Sequence, residues 1–150
     1  MPYLNPTDEL TARITNPGRG AFAAMLLGEV GFNLTSFQVG RGGYLTADPV
    51  RVEPIDPNAT SLIAPIGTNL PFTTIEQPIG PNIAAPICRI ESGVTGYEYG
   101  LGELGIFATW LMHQTSPSLV GTEWLFAIAH FPLLGKTANH TFVWRVMIAL

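Results

Sequence analysis

The sequence predicts an α+β domain that is mostly β, with a mixed or antiparallel sheet or a sandwich, one N-terminal helix and long proline-rich connections. Three apolar runs, residues 102–110, 123–131 and 142–150, carry this prediction. Each is short, rich in β-branched and aromatic residues, and bounded by turn residues. With 150 residues, the chain has the length of one domain. We therefore predict an N-terminal arm over 1–16 and a single β-rich domain over 17–150.

The first elements are predicted from prolines and caps. Pro2 and Pro6 resist regular structure, and residues 7–10 suit at most a helical turn, so the arm is either disordered or held by a neighbour. A helix is predicted over about 17–30, with Asn16 as N-cap. Its apolar face would consist of Phe22, Met25, Leu26 and Val30.

The middle of the chain is predicted to be mostly connection. A strand over 32–39 ends at the glycine-rich turn 40–43, and no helix start follows that would make this turn a phosphate cradle. Residues 44–82 hold seven of the thirteen prolines, which excludes long central strands. We predict a meandering connection here, with an edge strand at 72–77, and then a strand over 82–90.

The last run, 142–150, alternates two apolar faces. The first face consists of Phe142, Trp144, Val146, Ile148 and Leu150. The intervening residues are also mostly apolar, which is typical of a strand buried on both sides or facing a partner chain.

The composition indicates an assembling protein. Charged residues make up 12% of the chain, against roughly 25% in ordinary soluble domains. Either Ser, Thr, Asn and Gly cover the surface, or other chains cover much of it; we favour the second interpretation. The net charge of -4 and the lack of a basic cluster argue against nucleic-acid binding. No apolar stretch suits a membrane helix, and no secretory signal begins the chain.

The residues that carry chemistry do not form a recognisable catalytic or metal-binding pattern. His113, His130 and His140 lack metal-ligand spacing, and Cys88 is the only cysteine. We therefore predict no enzymatic activity, no metal and no cofactor. A hydrolase that uses Glu98 or Glu103 is the weaker alternative, since a second acid and a pocket would be required.

Glu103 and Arg145 stand out because each places a charge on an otherwise apolar strand. A buried charge needs a partner. We predict a structural ion pair between them that sets strand register, with loop or backbone groups, Arg89 and Glu91 as other partners. Interface candidates are two prolines and six aromatic or apolar residues: Pro49, Pro54, Tyr3, Leu4, Tyr44, Trp110, Trp124 and Trp144.

Several blocks together resemble the N-terminal domain of bacteriophage tail-collar fibre proteins. In chain order they are residues 34–40 leading into a glycine-rich turn, 56–62, 102–107, 125–132 with 135–137, and 142–150. The resemblance covers roughly residues 17–150 and implies a fibre-anchoring domain. Tail-collar fibres continue into further regions after this domain, so a chain that ends here is expected to be an adaptor or baseplate component.

The resemblance implies a structural virion subunit at the junction of tail fibre and baseplate. Such a subunit would be made in the host bacterial cytoplasm and would reside in the phage tail. Its expected partners are itself, as a homotrimer, and other tail proteins such as baseplate and fibre chains, without membrane insertion. The alternative is a small carbohydrate-binding β-domain that contacts the host surface, suggested by Tyr97, Glu98 and Tyr99.

Overall fold

The computed structural model describes residues 9–45, 47–48, 51–76, 82–91, 100–134 and 141–149. Over these residues the chain is mostly β with one α-helix, which confirms the predicted fold class. The helix is α1 (Asn16–Leu26), and a 3-10 helix spans Pro117–Leu119. The strands are β1 (Glu9–Ile14), β2 (Val30–Gly40), β3 (Pro65–Pro71), β4 (Thr74–Glu76), β5 (Asn82–Ile90), β6 (Leu101–His113), β7 (Glu123–Leu134) and β8 (Phe142–Ala149).

The eight strands form one curled sheet in the order β3-β2-β6-β7-β1-β8-β5-β4. The β1–β8 pair is parallel and the other pairs are antiparallel, so the sheet is mixed. Strand register defines two ends. At the helix end, Ile14 lies beside Ala127, just before α1 begins. At the opposite end, which we call the anchor end, Gly40 lies beside Glu103.

The sequence analysis placed residues 9–14 in an N-terminal arm. They instead form the central strand β1. It lies between β7 and β8, and its side chains alternate between exposed and buried positions. Leu10, Ala12 and Ile14 face the core, and this two-residue alternation is the pattern of a strand with one buried face. The rest of the predicted arm, residues 1–8, lies outside the described residues.

The helix α1 is shorter than the predicted 17–30 and packs through small residues. Its N-cap is Thr15, not Asn16, and the Thr15 hydroxyl accepts a hydrogen bond from the Gly18 N–H at 3.0 Å. Gly18 and Ala21 are its buried residues. Leu26, which we predicted on the buried face, is 73% exposed. The helix lies so close to β7 that only residues without bulky side chains fit between them.

Strands β3 and β4 lie at opposite edges of the sheet, although only two residues separate them in the chain. β3 pairs with residues 36–40 of β2, and β4 pairs with residues 85–87 of β5. The segment therefore crosses from one edge of the sheet to the other, from Pro71 beside Ser36 of β2 to Thr74 beside Ile87 of β5. β4 agrees with the predicted edge strand at 72–77. β3 was missed, because Pro65 and Pro71 bound a strand that an edge position tolerates.

The core lies inside the curl. On β8 the predicted face of Phe142, Trp144, Val146 and Ile148 is buried, and the residues between them are half-buried. Leu150 lies outside the described residues. The same interior holds Phe37 of β2, Leu104 and Ile106 of β6, and Cys88 of β5.

Candidate functional site

Glu103 anchors the long connection between β2 and β3 to the sheet. The side chain is fully buried, and both carboxylate oxygens accept hydrogen bonds from that connection. Oε1 accepts from the N–H groups of Gly42 at 3.2 Å and Ala64 at 2.8 Å, and Oε2 accepts from the N–H of Ile63 at 3.0 Å. A buried carboxylate is tolerated where such bonds replace its water shell. Glu103 is therefore committed to structure, with no oxygen open to a substrate.

The predicted ion pair between Glu103 and Arg145 is wrong. Two strands, β7 and β1, separate β6 from β8 in the sheet. Arg145 instead donates through Nη1 to the Glu9 carboxylate at 3.2 Å. Arg89 and Glu91, the other candidate partners, bind each other at 2.5 Å near the surface. The mistake arose because β1, which supplies the actual partner, was assigned to the arm.

Glycine allows the connection to approach β6 closely. A Cβ on Gly102 would overlap the Gly42 carbonyl oxygen and the ring of Tyr44. Gly43 has a φ of 91°, a conformation that favours glycine. Tyr44, an interface candidate, is half-buried against this turn and pairs with Val52 through an isolated bridge. The glycine-rich turn thus serves close packing.

Beyond Glu103, the connection covers the outer face of β6 and β7 with an apolar layer. Its centre is Leu62, which packs on Leu125 and Ile128 of β7. At the helix end, the Asn16 N–H donates to the Pro57 carbonyl at 2.6 Å, and the side chains of Asn16 and Asn58 bind each other at 2.8 Å. The proline-rich connection is therefore bound to the sheet through Glu103 at the anchor end and to Asn16 at the helix end.

Several of the blocks that resemble tail-collar fibre proteins lie in or beside this outer layer, namely the turn at 40–43, the stretch 56–62 and the strands at 102–107 and 125–132. The closing block is different: it forms β8, which β7 and β1 separate from β6, and its buried face lies in the core. Residues 135–137 lie outside the described residues.

The described residues contain no group of three or more side chains suited to holding a metal. His130 lies opposite Glu103 on β7, but its Nδ1 is hydrogen-bonded to the Glu53 carbonyl at 2.7 Å. His113 Nδ1 accepts from the Ser116 N–H at 3.0 Å. Cys88 is fully buried, and this burial raises the pKa of its thiol well above the usual value. The thiol is therefore poorly suited to nucleophilic chemistry. His140 and Glu98 lie outside the described residues.

The remaining interface candidates divide into three groups. Trp110 and Trp124 are half-buried at the helix end and stack with ring centroids 4.7 Å apart, and Pro54 is exposed. The prediction of Trp144 as an interface residue is wrong, because its side chain is fully buried in the core against Phe131 and Phe142. Tyr3, Leu4 and Pro49 lie outside the described residues.

The helix end exposes a set of large apolar side chains, which we call the helix-end apolar surface. Its members are Leu26 (73%), Leu27 (74%), Leu111 (55%), Met112 (40%), Leu119 (38%) and Val120 (48%). Three segments carry them, and backbone hydrogen bonds hold these segments together: the Gln114 N–H donates to the Glu29 carbonyl at 3.1 Å, and the Gly121 N–H donates to the Trp110 carbonyl at 2.8 Å. The sequence did not reveal this surface, because helical periodicity placed Leu26 inside.

A cavity of about 450 Å³ opens beside this surface, and we call it the seam groove. It lies where the two edges of the curled sheet stay apart, between β2 on one side and β4 with β5 on the other. Its lining residues come from α1, β2, β4, β5 and β7: Phe22, Met25, Phe32, Asn33, Leu34, Thr35, Ile75, Ile83, Ala84 and Phe126. The lining is mostly apolar, which suits apolar side chains of a binding partner.

No protein-family model, characterised protein or solved structure matches this chain. Within the described ranges, no helix is both long and apolar enough to cross a membrane.

Proposed function

We propose that this protein is a structural subunit at the fibre–baseplate junction of a phage tail or a related contractile machine. It links tail fibres to the baseplate, as a homotrimer and through contacts with neighbouring tail proteins. The observation that carries the assembly role is the helix-end apolar surface. The contacts that several of the blocks make with one another near Glu103 support the comparison with a fibre-anchoring domain.

The energetics of the helix-end apolar surface favour association. Full burial of an exposed leucine, methionine or valine side chain contributes about 1.5–3 kcal/mol. Because these six side chains are 38–74% exposed, burying what remains contributes about 5–10 kcal/mol in total, which is comparable to an association cost of about 4–15 kcal/mol. Exposed apolar patches of this kind mark protein contacts. Charged residues make up only 12% of the chain, so few surface charges are present to oppose association between copies.

Light scattering on the purified chain at micromolar concentration tests the assembly role. The expected mass is three times the 16.2 kDa of one chain. Leu111→Asp should weaken assembly at least tenfold without loss of the β signal in circular dichroism, because Leu111 is 55% exposed. Ser118→Asp, also at an exposed position, is the matched control. A stable monomer at this concentration would rule out the homotrimer.

The place of the subunit in a tail needs a separate test. Reading frames beside the gene that encode baseplate or fibre proteins, and capture of those proteins by the purified chain, would support the junction role. Neighbours of unrelated function and no capture would argue against it.

A carbohydrate-binding role is the second candidate. The observation in its favour is a smaller cavity of about 270 Å³ at the helix end, in which the half-buried Trp110 lies near Glu29, His113 and Thr115. An aromatic ring beside polar groups suits a sugar. A glycan array tests this role: hits that disappear in Glu29→Gln would support it, and an array without hits would exclude it. Tyr97, Glu98 and Tyr99, which first suggested it, lie outside the described residues.

A further inference from the structure

The seam groove lies between the two edges of the sheet, which no described strand pair joins. At the anchor end, β3 covers the outer edge of β2 over residues 36–40. The chain then leaves β2 and continues as β4 on β5. Over residues 30–35, β2 pairs with β6, and no described strand pairs with its other edge. This edge faces the groove.

Proteins protect edge strands from strand addition with charged side chains, proline, β-bulges or a covering segment. The edge of β2 that faces the groove has irregular pairing with β6 between Gly31 and Phe32 and between Leu34 and Ser36, but it carries no charge and no proline. Residues 30–35 are Val-Gly-Phe-Asn-Leu-Thr, without charge or proline. Phe32 and Leu34 line the apolar groove beside it. An edge that pairs with no described strand and lies next to an apolar groove is the arrangement to which an extended peptide adds as a further strand.

The N-terminal sequence has the pattern that such a site requires. In an extended chain, alternate residues direct their side chains to opposite faces and their backbone groups to opposite edges. Pro2, Leu4 and Pro6 fall on one apolar face, while Tyr3, Asn5 and Thr7 fall on the other. Proline lacks the N–H, so only the edge formed by residues 3, 5 and 7 has all its donors. Residues 1–8 are therefore suited to pair with one strand while an apolar face enters a groove.

The position of Glu9 favours a groove on another molecule. β1 begins at Glu9 near the anchor end and runs to Ile14 at the helix end, about 17 Å away. The groove of the same chain lies at the helix end, beyond β8 and β5 in one direction and beyond β7 and β6 in the other. A second copy whose anchor end lies against the helix end of the first brings its Glu9, at the start of β1, next to that groove.

We infer that residues 1–8 of a second copy bind in the seam groove as an added strand on residues 30–35 of β2. This inference rests on the proposed function and specifies its contact. The contact joins the anchor end of one copy to the helix end of the next, so it is head-to-tail. Such contacts close into a ring when the rotation between copies permits it, which agrees with the proposed homotrimer.

Disulfide trapping between two variants tests this contact. Leu4→Cys and Asn33→Cys chains are mixed and mildly oxidised, with a larger tag on one variant to separate mixed dimers from others. We expect a mixed, reducible dimer, and the native Cys88 does not interfere because it is fully buried. Leu4→Cys mixed with Thr60→Cys, an exposed position on the connection, is the matched control. Equal trapping in both mixtures, or none in either, would overturn the inference.

Three further variants make the outcome decisive. Deletion of residues 1–8, or Leu4→Asp, should raise the concentration needed for assembly at least tenfold. A chain with both Leu4→Cys and Asn33→Cys that cross-links only within a monomer would place the segment in its own groove and reject the second copy. If these variants assemble like the wild type, the inference fails but the proposed function stands. If the wild type is itself monomeric, the proposed assembly fails as well.

Discussion

Glu103 explains how a proline-rich connection acquires a fixed position. Its three hydrogen-bond donors, the N–H groups of Gly42, Ile63 and Ala64, come from two parts of the connection that are about twenty residues apart. Each of these donors would otherwise lack a partner next to an apolar layer. One carboxylate therefore supplies hydrogen bonds that regular structure would supply elsewhere.

Replacing Glu103 should destabilise the whole domain. Glu103→Ala leaves three N–H groups without their acceptor, and one unsatisfied buried group costs about 1–3 kcal/mol. We expect a loss of about 3 kcal/mol or more, which lowers Tm by about 6–12 °C for a domain of this size. Thermal unfolding followed by circular dichroism measures the effect.

The matched control for Glu103→Ala is Glu91→Ala, since the Glu91 side chain is 57% exposed and binds only Arg89 among the described contacts. That change should stay within about 0.5 kcal/mol. Equal Tm values for the two variants would show that Glu103 does not anchor the connection.

The residue scale also shows how far sequence reasoning reaches. A carboxylate between apolar residues correctly predicted a buried charge with a partner. The alternative that loop or backbone groups bind it was correct for Glu103, but which N–H groups these are was not predictable, because backbone donors leave no trace in residue types. The Arg145 partner, Glu9, was missed for a different reason: it lies on a strand that the sequence analysis had treated as an arm.

Among the elements, helix α1 packs closely on the sheet because its buried face carries no large side chains. A Cβ on Gly18 would come within 2.6 Å of the Phe126 carbonyl oxygen and 2.8 Å of the Ile14 side chain. The larger residues of the same helix, Phe22 and Met25, line the seam groove instead. Small residues on the buried face thus leave the large ones available for binding.

Two glycine substitutions in α1 should therefore have opposite effects on stability. Gly18→Ala forces the helix away from β7 and should cost about 1–3 kcal/mol. Gly20→Ala meets nothing within 4 Å and should stabilise the protein by about 0.5–1 kcal/mol, because alanine favours the helix. Denaturant unfolding of both variants measures the contrast. Stabilisation by both substitutions would contradict the close packing of α1 on β7.

The strands that the sequence analysis found differ more strongly in hydrophobicity from the residues around them than the strands that it missed. β6, β7 and β8 were predicted because long apolar runs stand out, and β2 and β5 were predicted from β-forming residues at 32–39 and 82–90. β1 is only six residues long, and β3 is bounded by Pro65 and Pro71. Both are stabilised by pairing with distant strands, so local propensity alone does not reveal them.

At the scale of the whole molecule, β1 completes the sheet. It is the only described strand between β7 and β8, and Leu10 and Ala12 enter the common core. Without β1 the two halves of the sheet would not be joined, and the Glu9–Arg145 contact would be lost.

A charge on the buried face of β1 should therefore prevent folding. Ala12 is 1% exposed, and an unpaired charge there costs several kcal/mol, against a total stability of about 5–15 kcal/mol for typical domains. Thr11→Asp, on the exposed face of the same strand, should change stability by less than about 0.5 kcal/mol. Circular dichroism and cooperative thermal unfolding separate the two variants. Normal unfolding of Ala12→Asp would mean that β1 is not a core strand.

By itself, the sequence determined the fold class, the three strands of the C-terminal third, and the burial of Glu103. These features depend on hydrophobic pattern and on the cost of an unpaired charge, which are local properties of the chain. Only the tertiary structure decided the place of β1, the partners of Glu103 and Arg145, the burial of Trp144, and the seam groove. Each of these depends on which distant strands become neighbours when the sheet curls, and strand order is not encoded in any single stretch of residues.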